Sequence, residues 1–468
     1  MKPVNRSLHS FLTEYVSRQP ERRLLGGPEG WLSAAQILDR IGLLAERMGS
    51  LGIHRGDFVA LRAFRCVDTA LWILALQRIG AVAVLTDPRQ EIGDFLSRAG
   101  TFPEVTARID GDAVTVVRPT AAREGEGSPR DLGFVIFTSG STGQPNAVML
   151  SQYNLVNNLV DSQPLGDYRP EDIALGALPL DHVFGLVLLA GVCVLGYGIY
   201  FPESTEVSHL LSCIASQGIT RMNGVPSLYL AMAERAGQYD LSTLRAGFIG
   251  GGPYTPEQFR RMESALGMTL IPVYGMSECI GIACAHWQDG PDTRAAGMAR
   301  VYSMNTCKIL LSDGREAPVG QPGEIHVTGP ARMLGYYPHR MAEAELLPTG
   351  DLGYLDEQGF LRLTGRKKDI IIRNGVNLSP KAIEDALLSI PGVTEACVVG
   401  MPHPLQGEVP WALVVSRRTE PELLAVLQSL LPKNQIPAEI RFAERLPMTG
   451  SVKIDKTAVR EVLKQWNL

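Results

Sequence analysis

The densest group of residues that could do chemistry lies at positions 134–148, FVIFTSGSTGQPNAV. Its apolar start, 134–137, predicts a buried strand, and the next six positions supply four hydroxyls and two glycines: Thr138, Ser139, Gly140, Ser141, Thr142 and Gly143. Glycine lets backbone N–H groups approach a ligand closely, and with hydroxyls they can surround phosphate oxygens. The spacing is neither that of a Walker A loop nor that of a dinucleotide-binding fingerprint. We therefore favour a phosphate-binding loop, with a solvent-exposed polar loop as the alternative.

Two charged residues farther along the chain could act on a phosphate-bearing substrate. Glu278 follows a serine in YGMSE at 274–278, and a carboxylate beside a hydroxyl suits Mg²⁺, which combines few protein oxygens with phosphates. Lys453 lies in PMTGSVKID at 447–455. A positioned ammonium can offset the repulsion between a carboxylate and the phosphate that it attacks. Alone, each residue would more often be a turn or surface residue, so the surrounding motifs decide.

Further motifs follow the phosphate loop in a fixed order. They are LPLDHVFG at 178–185, GVPS at 224–227, GGGP at 250–253, YGMSE at 274–278, GEIHVTGPARMLGYY at 323–337, TGD at 349–351, GRKKDIIIRNG at 365–375 and PMTGSVKID at 447–455. Together they resemble the adenylate-forming superfamily over nearly the whole chain. That superfamily includes acyl- and aryl-CoA synthetases, adenylation domains of nonribosomal peptide synthetases, and luciferases. The resemblance implies ATP-dependent activation of a carboxylic acid to an acyl-adenylate, followed by transfer to a thiol.

The resemblance also implies which residues bind ATP. The catalytic residues would be Lys453, Glu278 and Arg366, with Glu278 also the Mg²⁺ ligand. The phosphates would contact residues 138–143 and Ser277. Adenine and ribose would contact Gly250, Gly251, Gly252, Tyr274, Gly275 and Asp351.

The acyl pocket and the moving parts follow from the same resemblance. The pocket would be lined by His182, Phe184, Met222, Asn223, Gly224 and Ser227. Lys368 would be the hinge about which a C-terminal domain reorients between the two steps, and Gly375 would lie where the thiol arm approaches.

Four positions depart from the family pattern. Asn146 replaces the lysine of the phosphate loop, and Val452 replaces the glycine before Lys453. Ile372 stands where many members carry a lysine, and Ala382 replaces a frequent glutamate. These changes keep open a second hypothesis, a nucleotide-binding relative without catalytic activity. The retention of Glu278, Asp351, Arg366 and Lys453 together favours the enzyme.

The substrate and acceptor are predicted only as classes. Amino-acid-activating domains usually carry an aspartate where His182 stands, which favours an aryl or aliphatic acid; the adjacent Asp181 keeps a stand-alone amino-acid-activating domain as the alternative. The chain ends about fifteen residues after Lys453, which predicts no fused carrier domain. The acceptor is then CoA or the phosphopantetheine arm of a separate carrier protein.

Composition narrows the class of protein. The 468 residues carry 44 basic and 49 acidic side chains, and the net charge of −5 gives no case for a nucleic-acid partner. Seven cysteines without a C-x-x-C pair, and an N-terminus unlike a signal peptide, predict a cytoplasmic protein. The uncharged run 183–201 is interrupted by four glycines, so we interpret it as a buried helix leading into a core strand and expect no membrane span.

The elements that must position these residues follow an alternating pattern. Helical spacing at 32–51 and 69–79 alternates with strand-like segments at 57–61 and 81–85, which predicts an α/β fold of helix-covered, mostly parallel sheets. Turn signals between 300 and 365 predict a small β-rich subdomain, and alternation resumes after 369. We predict an N-terminal domain at 1–367 and a small, mobile α+β C-terminal domain at 368–468.

Overall fold

The computed structural model describes residues 1–99, 105–121, 127–139, 145–448 and 454–465. Its α-helices are α1 Leu8–Arg18, α2 Ala34–Ser50, α3 Val67–Ile79, α4 Ile92–Arg98, α5 Gln152–Ser162, α6 Val183–Val194, α7 Val207–Gln217, α8 Pro226–Ala233, α9 Pro256–Leu266, α10 Pro291–Ala295, α11 Pro380–Leu388, α12 Glu420–Leu430 and α13 Lys456–Gln465. Its strands are β1 Arg23–Gly27, β2 Gly30–Ser33, β3 Phe58–Arg62, β4 Val82–Thr86, β5 Ala107–Asp110, β6 Ala113–Val116, β7 Leu132–Ser139, β8 Pro145–Ser151, β9 Ile173–Leu175, β10 Gly198–Tyr200, β11 Arg221–Met222, β12 Ala246–Ile249, β13 Thr269–Tyr274, β14 Ala283–Cys284, β15 Ala299–Val301, β16 Thr306–Leu310, β17 Gly323–Thr328, β18 Gly335–Tyr336, β19 Leu347–Leu355, β20 Phe360–Arg366, β21 Ile371–Arg373, β22 Val376–Leu378, β23 Val393–His403, β24 Gly407–Ser416 and β25 Glu439–Phe442.

The chain divides into two compact units. The first comprises Met1–Gly251, Arg260–Thr306 and Val327–Leu347, and the second comprises Gly252–Phe259, Cys307–His326 and Pro348–Leu468. The second unit thus contains all of the predicted C-terminal domain together with much of the predicted β-rich segment. The domain boundary at Lys368 stays a prediction.

Two mixed sheets with parallel centres form the first unit. One runs β15-β14-β13-β12-β11-β9-β10-β1-β2, and its strands are parallel from β13 to β1. The other runs β18-β8-β7-β4-β3-β5-β6, and its strands are parallel from β7 to β5. Every residue of β4 is buried, as expected of a central parallel strand covered on both faces. The predicted mostly parallel sheets are confirmed for the centres, while the edges are antiparallel.

The uncharged run 183–201 folds as its composition predicts. It forms helix α6, of which most residues are buried, and then strand β10, whose three residues are all buried. A helix that is apolar on every face belongs inside a protein core or a membrane. Among the described residues, no helix combines the length and apolar character needed to cross a membrane.

The second unit contains two groups of strands. The first follows the order β16-β17-β19-β20, and β19 and β20 form an antiparallel pair. The second is a five-stranded sheet of β21 to β25, in which β23 and β24 pair over most of their length. Helices α11 and α12 pack on this sheet through a buried aliphatic core that includes Ile383, Leu387, Leu423 and Leu427. The α+β character predicted for 368–468 matches this arrangement.

Candidate active site

Strands β7 and β8 of the first unit flank the predicted phosphate loop and pair with each other. Strand β7 extends two residues beyond the predicted end at 137, so Thr138 and Ser139 belong to the strand instead of the loop. They pair with Asn146 and Pro145 of β8, an antiparallel ladder that decides their conformation. Gly140, Ser141, Thr142 and Gly143 lie outside the described residues, and their role stays a prediction.

Glu278 sits in a short 3-10 turn, Ser277–Cys279, just after strand β13. Its side chain and that of Ser277 are buried, each residue being 8% exposed. The hydroxyl of Tyr336 donates a hydrogen bond of 2.8 Å to Glu278 Oε1. Burial, followed by the nearby carboxylate, raises the pKa of Tyr336 well above its ordinary value, so the phenol remains a donor. The motif GYY contains this tyrosine, but the sequence alone assigns it no role.

The carboxylate of Glu278 has the oxygen chemistry that a divalent cation such as Mg²⁺ prefers. A carboxylate can accept about four hydrogen bonds, and the contact from Tyr336 occupies one of them while fixing the side-chain orientation. The backbone N–H of Met333 also holds the turn by donating to the carbonyl oxygen of Glu278 at 2.8 Å. The result is a buried, oriented carboxylate that can still accept further hydrogen bonds or bind a cation.

The predicted adenine-binding residues in the first unit lie at the carboxyl ends of adjacent parallel strands. Gly250 and Gly251 follow β12, while Tyr274 and Gly275 end β13 and follow it. Open α/β sheets bind ligands at this edge. A Cβ on Gly275 would lie 1.9 Å from the carbonyl oxygen of Ile280, so only glycine fits there. Gly252 belongs to the second unit.

The predicted acyl-pocket residues gather in part. His182 is the N-cap of α6, and its Nδ1 accepts a 3.3 Å hydrogen bond from the backbone of Phe184. Phe184 packs against a buried cluster that includes Phe248. The backbone N–H of Phe248 donates to Asn223 Oδ1, and the backbone N–H of Gly224 donates to the carbonyl oxygen of Phe248. Both hydrogen bonds are 3.0 Å long.

The other two predicted pocket residues differ from each other in burial. Met222 is fully buried beside Asn223, whereas Ser227 is exposed at the start of α8. The neighbouring Asp181 has one oxygen, Oδ1, buried without a hydrogen-bond partner. Burial raises the pKa of Asp181 to about 6.

Asp351 and Arg366 form a direct ion pair in the second unit. They occupy opposite positions in the β19–β20 ladder, and Arg366 Nε lies 2.7 Å from Asp351 Oδ1. Asp351 is 5% exposed, and its backbone N–H donates to Thr349 Oγ1 at 3.1 Å. A buried carboxylate of this kind can accept hydroxyl hydrogen bonds, as a ribose requires.

The predicted hinge and thiol-arm residues lie in tight turns. Lys368 is the middle residue of the 3-10 turn Lys367–Asp369. Asn374 and Gly375 connect β21 to β22 as a two-residue loop with φ angles of 51° and 76°. An Asn-Gly pair with both φ angles positive is the preferred connection of a two-residue hairpin.

The segment that carries Lys453 is described only at its ends. Met448 and Ile454 form an isolated β-bridge, and the backbone N–H of Asp455 donates to Pro447 at 2.9 Å. Asp455 then accepts hydrogen bonds from the backbone of Thr457 and Ala458 at the start of α13, each 3.0 Å long. Lys453 itself lies outside the described residues, and its role stays a prediction.

Comparison of the sequence with known protein families shows which family the chain matches. The AMP-binding enzyme family matches residues 12–95 and 94–337, and its C-terminal domain, the AMP-binding enzyme C-terminal domain, matches residues 382–453. The chain belongs to the AMP-binding enzyme family. This confirms the resemblance drawn from the motifs and the prediction of an AMP-forming acid–thiol ligase.

Individual relatives extend over the same length. The 2-succinylbenzoate–CoA ligases of Bacillus thuringiensis and Bacillus cereus are each 29% identical to the chain, covering 98% of it and 99% of the relative. Among solved structures, ATP-bound MatB from Rhodopseudomonas palustris is similar with a TM-score of 0.84 at 23% identity, covering 98% of this chain and 99% of that one. The o-succinylbenzoate CoA synthetase of Bacillus subtilis, in complex with the acyl-adenylate intermediate OSB-AMP, gives a TM-score of 0.83 at 25% identity and 98% coverage of both chains. These likenesses confirm the predicted fold class.

Proposed function

We propose that the chain activates an aryl or aliphatic carboxylic acid with ATP and transfers the acyl group to the thiol of CoA. The relatives named 2-succinylbenzoate–CoA ligase support this proposal because they align with 98% of the chain. The solved relative that holds an acyl-adenylate supports the intermediate. The phosphopantetheine arm of a separate carrier protein is the alternative acceptor.

In the first step, a carboxylate oxygen of the acid attacks the α-phosphorus of ATP. A bond forms between them, the bond from the α-phosphorus to the bridging oxygen breaks, and pyrophosphate leaves. Two anions must approach, so the positive charges of Lys453 and Arg366 would lower the barrier by offsetting their repulsion. The product is a mixed anhydride, which is reactive because AMP is a good leaving group.

Glu278 is the residue that we assign to Mg²⁺. Its buried carboxylate, oriented by Tyr336, has the oxygen chemistry that the ion prefers. Bound Mg²⁺ would neutralise charge on the phosphate oxygens. Asp351, oriented by Arg366, would accept the ribose hydroxyls, and the end of β13 at Tyr274 would face adenine.

In the second step, the thiol sulfur attacks the acyl carbonyl carbon. A thioester bond forms, the bond to AMP breaks, and the thiol proton is released. We assign reorientation of the C-terminal domain to the hinge at Lys368 and the approach of the thiol arm to Gly375. Lys368 lies in a short 3-10 turn, which suits a residue whose backbone angles must change. Gly375 lies in a tight hairpin loop and has no side chain, which suits a residue that a ligand passes closely.

The apolar cluster against which Phe184 packs, together with the burial of Met222, supports the choice of an aryl or aliphatic acid. An aryl acid of the 2-succinylbenzoate type is the first candidate, in view of the relatives' names. An α-amino acid is the alternative substrate, because Asp181 offers a buried carboxylate oxygen beside His182 that could bind an ammonium group.

The decisive experiment measures ATP–pyrophosphate exchange with a panel of aryl, aliphatic and amino acids. The acid that supports exchange is then tested for thioester formation with CoA and with carrier proteins. Lys453→Ala should abolish exchange while the protein stays folded. Exchange with none of the acids would instead favour the non-catalytic nucleotide-binding relative.

A further inference from the structure

A partly buried ion cluster begins helix α13 in the second unit. Lys456 Nζ lies 3.1 Å from Asp369 Oδ2 and 3.2 Å from Glu384 Oε1. The side chains of the two acids are each 14% exposed, and that of Lys456 is 26% exposed. Glu384 Oε1 also accepts a 2.9 Å hydrogen bond from the backbone of Val398, which fixes the cluster to strand β23.

The cluster keeps its lysine charged despite burial. Burial acts to lower the pKa of Lys456, but the carboxylates of Glu384 and Asp369 outweigh it, and the pKa is raised above its ordinary value. The buried thiol of Cys397 also lies near the cluster. Removing one partner of a buried pair leaves an uncompensated charge, which costs more free energy than breaking an exposed pair does. An exposed pair for comparison is Lys464–Glu461 in the same helix.

Two of the three members of the cluster, Asp369 and Lys456, come from segments that matter for the proposed reaction. Asp369 ends the 3-10 turn that contains the predicted hinge, Lys368. Lys456 is the first residue of α13 and follows Lys453 by three positions. The bridge between Met448 and Ile454 closes the base of the Lys453 segment. The ion contact between Lys456 and Asp369 joins the start of α13, two residues after that base, to the hinge turn Lys367–Asp369.

We propose that Lys456 is a positioning residue for Lys453, holding the base of its segment at a fixed distance from the hinge turn through Asp369. The proposal rests on the proposed function, in which Lys453 acts in adenylation. Both partners lie after Lys368, so the contact stays intact when the hinge turns. A displacement of about 1 Å in a catalytic group can lower a rate about a hundredfold. Loosening the cluster should therefore affect adenylation and not transfer to the thiol.

The test compares the two half-reactions in the full-length protein. Lys456→Met should lower kcat of ATP–pyrophosphate exchange about ten- to a hundredfold. The KM for ATP should change little, because the ion-pair partners of Lys456, Asp369 and Glu384, are not among the residues assigned to ATP binding. Thioester formation from supplied acyl-adenylate and CoA should stay within about twofold of the unmodified protein. Lys456→Arg, which keeps the charge, should restore most of the exchange. Lys464→Met removes an exposed pair from the same helix and should change neither rate.

The behaviour of these variants separates the possible explanations. An equal loss in both half-reactions, or unchanged exchange in Lys456→Met, overturns the positioning role. Should Lys456→Met fail to fold, Asp369→Asn keeps the side-chain shape and the contact of Lys456 with Glu384, and the same selective loss is expected there. Lys453→Ala serves as the reference: full exchange in that variant contradicts the proposed function itself, whereas loss there with none in Lys456→Met contradicts only this inference.

Discussion

Asn146 faces Thr138 across the β7–β8 ladder, at the foot of the predicted phosphate loop. Family members carry a lysine at this position, and an asparagine can donate a hydrogen bond but cannot neutralise phosphate charge. The strand pair forms with asparagine present, so the replacement changes the charge at this position and not the fold. We predict that it weakens ATP binding.

Restoring the charge at this position should strengthen ATP binding. We expect Asn146→Lys to lower the KM for ATP in the exchange assay about fivefold, as one partly exposed ion contact contributes about 1 kcal/mol. The gain should shrink as salt is added, since exposed charges are screened. Asn146→Gln, which lengthens the side chain without adding charge, is the control and should leave KM near that of the unmodified protein. A gain that is independent of salt would argue against a charge contact.

Asp181 is expected to make stability depend on pH. Burial raises the pKa of Asp181 to about 6 in the folded protein. The folded protein therefore keeps this proton up to a higher pH than the unfolded chain does. The cost of Asp181 to stability is absent at low pH, grows as pH rises toward 6, and is complete above that. Asp181→Asn should raise the free energy of unfolding by about 2 kcal/mol near pH 7.5 and by much less near pH 4. Chemical denaturation at both pH values measures this; an equal gain at both would contradict it.

At the scale of elements, local patterns predict helices and central strands well. The residues of α2, α3 and β4 follow the predicted segments within a few positions, because apolar periodicity reflects burial directly. For β7 the sequence predicts too short a strand, since its last two residues are fixed by pairing with β8 and not by their own composition. The contact between Tyr336 and Glu278 joins positions 58 apart in the chain, and a single sequence contains no signal for it.

The hairpin of β21 and β22 offers an element-scale prediction about the second half-reaction. Gly375 has a φ of 76°, and alanine in that conformation is strained by about 1 kcal/mol or more. We expect Gly375→Ala to slow thioester formation while leaving exchange within about twofold, because the thiol arm is predicted to pass this turn. Gly359→Ala is a matched control: Gly359 also has a positive φ, 80°, and nothing would crowd a Cβ at either site. Equal effects of the two substitutions would show that backbone strain alone is responsible.

At the scale of the whole molecule, the sequence predicts two domains, but it does not predict which segments belong to each compact unit. Segments 252–259 and 307–326 group with the second unit even though they precede Lys368 in the chain. Chain order alone cannot show this, because the grouping depends on pairings between distant strands such as β17 and β19. The motifs around Lys368 nevertheless point to one residue whose backbone would change conformation between the half-reactions.

That hinge can be tested by fixing one backbone angle. Proline locks φ near −65°, so Lys368→Pro should hold the chain in the conformations that tolerate this angle. Position 368 lies in a 3-10 turn, whose φ is compatible with proline. We therefore expect the variant to keep the half-reaction that uses the observed turn and to lose the other about tenfold or more, as hinge residues absorb the φ/ψ change of domain motion. Lys368→Ala removes the same side chain while leaving φ free, and it should support both half-reactions. If proline and alanine behave alike, the reorientation between the steps takes place at another residue.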